Sequence, residues 1–188
     1  MDEFNPYRAH ILFTTPESDY KYQERLLVLA ARRLFDRAYL RSRIEQIWRR
    51  LTRRPAFLLD LDDLSNDLGE RSCHYAGVKC VPVERIRGSE GRRLDFTEGF
   101  LPLRDHLRSR WECMAFLILK GEALPPVELI QIGDIFFVRD GHHRVSVSRA
   151  LGRDYIDAEI TVWEVKGSPA WETGFAQGYP SLSPMRAY

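Results

Sequence analysis

The sequence lacks any apolar run long enough to span a lipid bilayer, and its acidic first residues do not resemble a secretory signal. Cysteine is scarce as well. Cys73, Cys80 and Cys113 are an odd number of thiols without the spacing of a disulfide framework, and Cys73, His74 and Cys80 lack a fourth metal ligand at a recognised spacing. We therefore expect a cytoplasmic protein with free thiols and no membrane span.

Net charge is also nearly absent, since the 188 residues sum to +1, but the charges are unevenly distributed. Residues 17–54 contain eleven Lys or Arg and five Asp or Glu, a net charge of +6, whereas residues 55–188 carry −4. The hydrophobic content of 44% is enough for a real core. The length suits one domain with an extension, so we predict a helical N-terminal extension and linker in residues 1–70 and an α/β domain with a C-terminal tail in residues 71–188.

The basic region predicts a long helix. Ser18 and Asp19 are suited to cap it, and the pattern continues to about Thr52. Apolar residues recur near one helical stripe: Leu27, Ala31, Leu34, Ala38, Ile44, Ile47, Trp48 and Leu51. We favour a helix that packs on the core and exposes a solvated basic face. The alternatives for this helix are contact with a partner helix, a membrane surface or nucleic acid. For the chain as a whole, a homo-oligomer is a further alternative.

Residues 71–188 read as a small mixed sheet with helices. Residues 69–77 are predicted to be a linker, and residues 81–86 alternate as a half-buried strand does. Residues 88–91 are predicted to be a turn and residues 107–121 a helix. Further strands are predicted at Val127–Ile132, at residues 135–138 after a Gly133-Asp134 turn, and at Tyr155–Val165.

The most informative stretch is residues 138–144, where a strand is followed directly by a helix that ends at Gly152. The first amides of a helix have no internal partners, and the helix dipole adds positive charge there. Gly141 permits close approach of a ligand to the backbone, and Arg144 offers a planar fork to phosphate or carboxylate. His142 and His143 add donors or proton carriers. The turn therefore predicts an anion site, most plausibly for phosphate, with a capped and solvated polar turn as the alternative.

The sequence Asp-Gly-His-His-Arg at residues 140–144, with the strands around it, resembles the ParB/sulfiredoxin-like fold over about residues 81–165. ParB proteins have Gly-Glu-Arg-Arg at this turn and sulfiredoxins Gly-Gly-Cys-His-Arg, whereas the version here is similar to that of free-serine kinases. The resemblance implies a bound nucleotide (ADP, ATP or CTP) with Mg²⁺. Because His142 stands where sulfiredoxins need cysteine, sulfinic-acid reduction is not expected.

The same resemblance implies a general base at Glu90, which follows the strand predicted at residues 81–86. A carboxylate that faces a phosphate site accepts the proton of an attacking alcohol, although an exposed turn residue is an equally good interpretation. The expected catalytic residues are Glu90, Asp140 and His142. The nucleotide would be held by Gly141, His142, His143 and Arg144, and Mg²⁺ by Asp140.

Two functional hypotheses follow. The first is a nucleotide-dependent phosphotransferase that acts on a small hydroxyl compound such as serine. The second is a non-enzymatic ParB-like module that binds nucleotide or nucleic acid, with the basic helix as its contact surface. A nuclease is least favoured, because the sequence has no two-metal carboxylate cluster at a recognisable spacing.

Overall fold

A computed structural model describes residues 16–52, 58–67 and 71–165. Within these ranges no helix is both long enough and apolar enough to cross a bilayer. The helices are α1 (Pro16–Thr52), α2 (Leu61–Asp67), α3 (Arg108–Lys120) and α4 (His142–Ala150). The strands are β1 (Leu59–Asp60), β2 (Arg71–Pro82), β3 (Ile86–Ser89), β4 (Val127–Ile132), β5 (Ile135–Asp140) and β6 (Tyr155–Val165), with short 3-10 turns at Val83–Arg85 and Asp105–Leu107.

The six strands form one mixed sheet in the order β1-β3-β5-β4-β6-β2. The pairs β1–β3, β3–β5 and β4–β6 are parallel, whereas β4–β5 and β2–β6 are antiparallel. Because β3 and β5 are parallel neighbours, the residues that follow them emerge at the same edge of the sheet. The predicted mixed α/β fold class is confirmed.

Residues 135–138 of the central strand β5 form an uninterrupted apolar run because both faces of the sheet are covered there. On β5, Phe136 and Val138 point into the main hydrophobic cluster, whereas Ile135 and Phe137 point into a second cluster on the other face. The predicted strands at β4, β5 and β6 and the predicted helices at α3 and α4 are all confirmed.

Helix α1 packs on α3 through aromatic and small side chains. Phe35 is fully buried, and its ring meets Trp111 of α3 edge-on at 5.4 Å between centroids. Ala31 and Ala38 are buried on the same face of α1. An ion pair of 2.7 Å between Arg108 and Asp36 borders this contact. The predicted core-packing helix is therefore confirmed, and it runs unbroken from Pro16 to Thr52.

The last part of the predicted apolar stripe does not face the core. Ile44, Ile47, Trp48 and Leu51 are 59–72% exposed. The helical geometry explains this, because the six residues from Ala38 to Ile44 span about 1.7 turns, which places Ile44 about 120° away from Ala38 around the helix axis. These four of the eight apolar residues therefore do not belong to the face of α1 that packs on the core.

The sequence also failed to predict the longest edge strand. Residues 71–77, predicted to be a linker, belong to β2, whose ladder with β6 shifts register between Tyr75 and Val78. The predicted strand at residues 81–86 instead contains the 3-10 turn Val83–Arg85. Because most β2 side chains are exposed, the strand has no apolar alternation, and backbone pairing alone defines it.

Residues on both sides of the predicted boundary at residue 70 share the core. Strand β1 pairs with β3, and Leu61 is fully buried in the second cluster. Phe35 of α1 lies in the main cluster with Trp111. The division of the chain into an extension and a domain remains a prediction.

Candidate functional site

The Asp-Gly-His-His-Arg motif lies where β5 ends and α4 begins, as predicted. Gly141 is the N-cap residue of α4 and has the left-handed conformation φ 93°, ψ 22°. A Cβ at this position would lie 2.6 Å from Cγ1 of Val127 on β4. Glycine is therefore required so that the turn can pack against β4, a different reason from the ligand approach that the sequence suggested.

The motif forms one wall of an open cavity of about 380 Å³. The other wall comes from the loop after β3 and from α3. The lining residues are Asp140, Gly141, His142, His143 and Arg144 of the motif, with Arg92, Arg110, Cys113 and Met114 opposite. This size falls within the usual range for small-molecule sites.

His142 is part of the structural framework at the base of this cavity. It is 5% exposed, and its Nε2 lies 2.7 Å from Oγ of Ser89. Burial and the nearby Arg92 lower the pKa of His142 to about 4, so the ring is neutral at pH 7. Because Ser89 is itself fully buried, the pair cannot present a serine nucleophile to a substrate.

His143 has unmet hydrogen-bonding capacity. Both of its ring nitrogens are buried and lack a hydrogen-bond partner, and its ring contacts Phe96 edge-on at 5.7 Å. Burial, Arg92 and Arg110 lower its pKa to about 4. A neutral imidazole carries one donor and one acceptor, and a buried group of this kind is stabilised when a ligand or water supplies the partner.

Arg144 is held in place by the protein itself. Its guanidinium donates to the carbonyl oxygens of Pro125 and Pro126, the latter at 2.9 Å, and to Oδ2 of Asp140 at 2.6 Å. It thereby ties α4 to the start of β4. Most of the hydrogen-bond donors of the Arg144 guanidinium are thus used within the protein. The phosphate contact that the sequence suggested for Arg144 remains a prediction.

Asp140 is the expected metal ligand, and its side chain is 68% exposed beside Arg144. Among the residues that the structure describes, no group of three or more His, Cys, Asp or Glu is placed to hold a metal ion. The donor set thus does not fit a protein-only Mg²⁺ site. An ion that arrived with nucleotide phosphates would need only one or two carboxylates from the protein.

Glu90 lies at the same sheet edge as the motif but outside the cavity lining. Its backbone N–H donates to the Val138 carbonyl at 2.9 Å, which extends the pairing of β3 with β5 by one residue. Its carboxylate accepts from Nε of Arg139 at 3.0 Å. The structure therefore brings the predicted base near the turn, but in an ion pair.

The sequence interpretation missed the wall opposite the motif. Arg110, Cys113 and Met114 lie on α3 at the i, i+3 and i+4 spacing that defines one helix face, a signal the sequence does contain. Arg92 follows the turn after β3 and carries no such signal. These arginines change the electrostatics of the site, because the charge of Arg92 disfavours protonation of both histidines and that of Arg110 disfavours protonation of His143.

The start of α4 also contributes positive potential. Gly141 has no side chain to cap the helix, and no side-chain cap bond is formed there. The first amides of α4 therefore lack intrahelical partners, and the helix dipole points its positive end toward the cavity. The arginines opposite, Arg92 and Arg110, add to this potential.

No family model matches this chain, and no curated protein matches it. Among solved structures, sulfiredoxin from Arabidopsis thaliana is similar at 18% sequence identity, over 53% of this chain and 97% of that chain, with a TM-score of 0.30. Sulfiredoxin is one of the two proteins after which the fold that the motif resembles is named. A similarity at this TM-score does not indicate a shared activity.

Proposed function

We propose that the protein binds a nucleotide, or a related small molecule that carries phosphate, in the cavity between α3, α4 and the loop after β3. The observation that supports this most strongly is the unpartnered, neutral ring of His143 beside the uncapped start of α4. Amides at a helix start bind phosphate oxygens, and an imidazole N–H supplies a further donor.

The balance of charge favours an anion over a cation or a neutral ligand. Among the described residues of the cavity lining, Asp140 is the one carboxylate, and it is already paired with Arg144, whereas Asp95 acts on His143 from outside the lining. The remaining charged groups of the lining, Arg92 and Arg110, are cations. A phosphate would therefore be attracted by charge and held by directional hydrogen bonds.

Transfer of a phosphoryl group to a small hydroxyl compound such as serine is the enzymatic form of this proposal. Glu90 would accept the hydroxyl proton while the hydroxyl oxygen bonds to the terminal phosphorus. The bond from the terminal phosphorus to the bridging oxygen would break, and the nucleotide would leave with one phosphoryl group fewer, as a nucleoside diphosphate from a triphosphate or as a monophosphate from ADP. Asp140 would contact the Mg²⁺ of the nucleotide substrate. Both carboxylates must first separate from their arginines, Arg139 and Arg144.

Thermal-shift measurements with ADP, ATP, CTP and GTP, each with Mg²⁺, test the binding proposal. A ligand that binds the folded state raises Tm by mass action, by about 2.7 kcal/mol of stability at a hundredfold excess over Kd. We expect at least one nucleotide to raise Tm in a concentration-dependent way. Unchanged Tm with all four nucleotides, confirmed by equilibrium dialysis, would contradict the proposal.

The transfer step is tested with Glu90→Gln and a panel of amino acids and small alcohols. Loss of a general base lowers turnover by roughly 10²- to 10⁴-fold, whereas nucleotide affinity is expected to stay unchanged. Glu84→Gln is a matched control, because Glu84 is exposed on the Val83–Arg85 turn. Equal turnover in the two variants would remove Glu90 as the base, and a wild-type protein that binds nucleotide but modifies no acceptor would favour a binding module.

The alternative is a regulatory module that contacts nucleic acid through α1. Arg33, Arg37 and Arg41 are exposed there and have no charged partner in the described part of the chain. Binding through such arginines weakens steeply with salt, because bound counterions are released. Charge reversal at these three positions should abolish DNA or RNA binding and leave nucleotide binding intact. Absent or salt-independent nucleic-acid binding would exclude this regulatory module. Sedimentation of the same variants tests a separate question, whether the chain self-associates through α1.

A further inference from the structure

Helix α1 has a second apolar side, which faces away from the core. Ile47 is nine residues after the buried Ala38, so the two lie about 180° apart around the helix axis. Further large apolar side chains recur on the side of Ile47, and all of them are at least 42% exposed. Together they form the outward face of α1: Leu26, Leu29, Leu40, Ile44, Ile47, Trp48 and Leu51. This face is about 38 Å long at the rise of an α-helix, and an exposed apolar surface of this extent indicates a binding partner.

The unpaired charges along the outward face are all positive. Residues 20–52 contain three carboxylates, and each forms an ion pair: Glu24 with Lys120, Asp36 with Arg108 and Glu45 with Arg49. The exposed Asp19 lies about two turns before Leu26, outside the face. Six arginines of the helix are exposed and have no charged partner among the described residues: Arg25, Arg33, Arg37, Arg41, Arg43 and Arg50. The partner should therefore be anionic.

Two of these arginines lie within the outward face itself. Arg33 and Arg37 occupy the helical positions between Leu29 and Leu40, at steps of four, four and three residues. If another helix packed here, both guanidinium groups would lose water at the centre of the contact, which is unfavourable unless carboxylates meet them. At a bilayer surface an arginine keeps its charged end among the lipid phosphates while its methylene stem lies along the apolar region. A line of apolar and arginine side chains thus suits the boundary between headgroups and acyl chains.

Three other occupants fit the outward face less well. A second copy of α1 would bring the same arginines together, and like charges repel each other. A nucleic-acid backbone would pair with the arginines but would leave the leucine and isoleucine side chains in water. The segments of this chain outside the described residues offer little negative charge, since they sum to −1 in residues 1–15, +2 in residues 53–57, −1 in residues 68–70 and +1 in residues 166–188.

We infer that the outward face of α1 docks on the surface of a bilayer that contains anionic phospholipids. Leu40, Ile44, Ile47 and Leu51 enter the boundary between headgroups and acyl chains, Trp48 lies at the level of the headgroups, and the six arginines contact lipid phosphates. No residue of the outward face is among the described residues that line the cavity between α3 and α4. Membrane docking is therefore independent of the proposed function.

Co-sedimentation of the full chain with lipid vesicles tests this inference. We expect binding to vesicles of equal parts phosphatidylcholine and phosphatidylserine, and at least tenfold weaker binding to vesicles of phosphatidylcholine alone. Each arginine near an anionic surface contributes about fivefold in affinity, so binding to the mixed vesicles should also weaken as salt is added. Tryptophan emission should shift to shorter wavelength on binding, and Trp48→Phe should lose most of this shift.

Single substitutions separate apolar insertion from charge. Ile47→Asp should lower the affinity for the mixed vesicles at least tenfold, because a carboxylate does not enter the acyl boundary. Val78→Asp is the matched control, since Val78 is 56% exposed on β2 and the change in charge is the same. Arg37→Glu should weaken binding by about tenfold or more, and the exposed Lys79→Glu on β2 by much less. All four variants should keep the wild-type Tm, because the replaced side chains are exposed.

Three results would each overturn the inference: wild-type protein that does not bind the mixed vesicles, equal binding to the two kinds of vesicle, or equal affinities of Ile47→Asp and Val78→Asp. Nucleic-acid binding without vesicle binding, or a dimer that Ile47→Asp dissociates, would assign the face to that partner instead. Nucleotide affinity is measured on the same Ile47→Asp protein and should match the wild type. Failure of membrane docking therefore leaves the proposed function standing, and the reverse also holds.

Discussion

Oγ of Ser89, at the end of β3, lies 2.7 Å from Nε2 of His142, the first residue of α4. Both side chains are buried, so this contact joins a strand end to a helix start inside the protein. The same Ser89 oxygen accepts the Arg92 N–H. One hydroxyl therefore holds together the floor of the cavity and the loop that carries Arg92.

Ser89→Ala should destabilise the protein. It leaves the buried His142 nitrogen and the Arg92 N–H without a partner, which costs about 1–3 kcal/mol for each unsatisfied group. The free energy of unfolding in urea measures the loss. Ser109→Ala provides the control, because Ser109 is exposed on α3. Equal stability of the two variants would show that the Ser89 contact contributes little.

Acid should destabilise the fold before ordinary carboxylates titrate. The pKa of His142 is about 4 in the folded protein against an ordinary value of 6.5, so the unfolded chain takes up this proton first. The contribution of His142 to stability is therefore complete above pH 6.5 and is lost as the pH falls toward 4, by roughly 3 kcal/mol at most, and the lowered pKa of His143 adds a loss of the same sign. Urea unfolding at pH 7, 6, 5 and 4 measures the decline.

A non-titrating side chain isolates the histidine contribution. His142→Gln should remove only part of the pH dependence between 6.5 and 4, because burial lowers the pKa of His143 to about 4 as well. An unchanged slope in His142→Gln would mean that the acid sensitivity arises from other groups.

Gly141→Ala should cost more stability than Gly152→Ala. Both glycines have positive φ, 93° and 70°, so both substitutions carry a conformational cost of about 1–2 kcal/mol. At Gly141 the new methyl group also meets Val127, whereas at Gly152 it meets open space. Thermal unfolding of the two single variants measures the difference. Adding Val127→Ala should relieve only part of the steric cost, because Cβ of residue 127 would still lie 2.9 Å from the new methyl group. Equal losses at the two glycines would contradict a clash with Val127.

Phe35→Ala should destabilise the protein by about 3–5 kcal/mol, because it empties a fully buried site against Trp111. Ile44→Ala on the exposed side of α1 should change stability by less than about 0.5 kcal/mol. Denaturant unfolding compares the two. If Ile44→Ala is the more damaging change, the exposed face of α1 must be covered by a partner in solution.

The elements that could be predicted from the sequence are those whose own side chains show a regular pattern of apolar residues. Strand β6 alternates and β5 is a continuous apolar run, so both were predicted from local periodicity. Strand β2 was missed because its exposed side chains hold no pattern, and Phe35 was missed because its aromatic ring was not counted in the stripe.

In the site as well, features set by neighbouring residues in the sequence were predictable, whereas features set by tertiary contacts were not. The position of the turn was predictable, since a strand, a glycine and a helix are adjacent in sequence. The occupation of Arg144 was not, because its partners Pro125 and Pro126 lie nineteen and eighteen residues earlier in the chain. The approach of Arg92 and Arg110 to His143 likewise depends on tertiary packing of separate elements.

Strand β6 lies between β4 and β2, and this position affects how fast β2 can join the sheet during folding. Arg71 pairs with Val165 and Pro82 with Tyr155, so β2 is synthesised long before the strand that receives its hydrogen bonds. Contacts of such long sequence separation form slowly, since the loop must close before pairing offsets the lost entropy. Until then the backbone groups of β2 stay open to other chains. The pairing of β6 with β2 therefore sets the interval during which this strand edge of the nascent chain is open to intermolecular pairing.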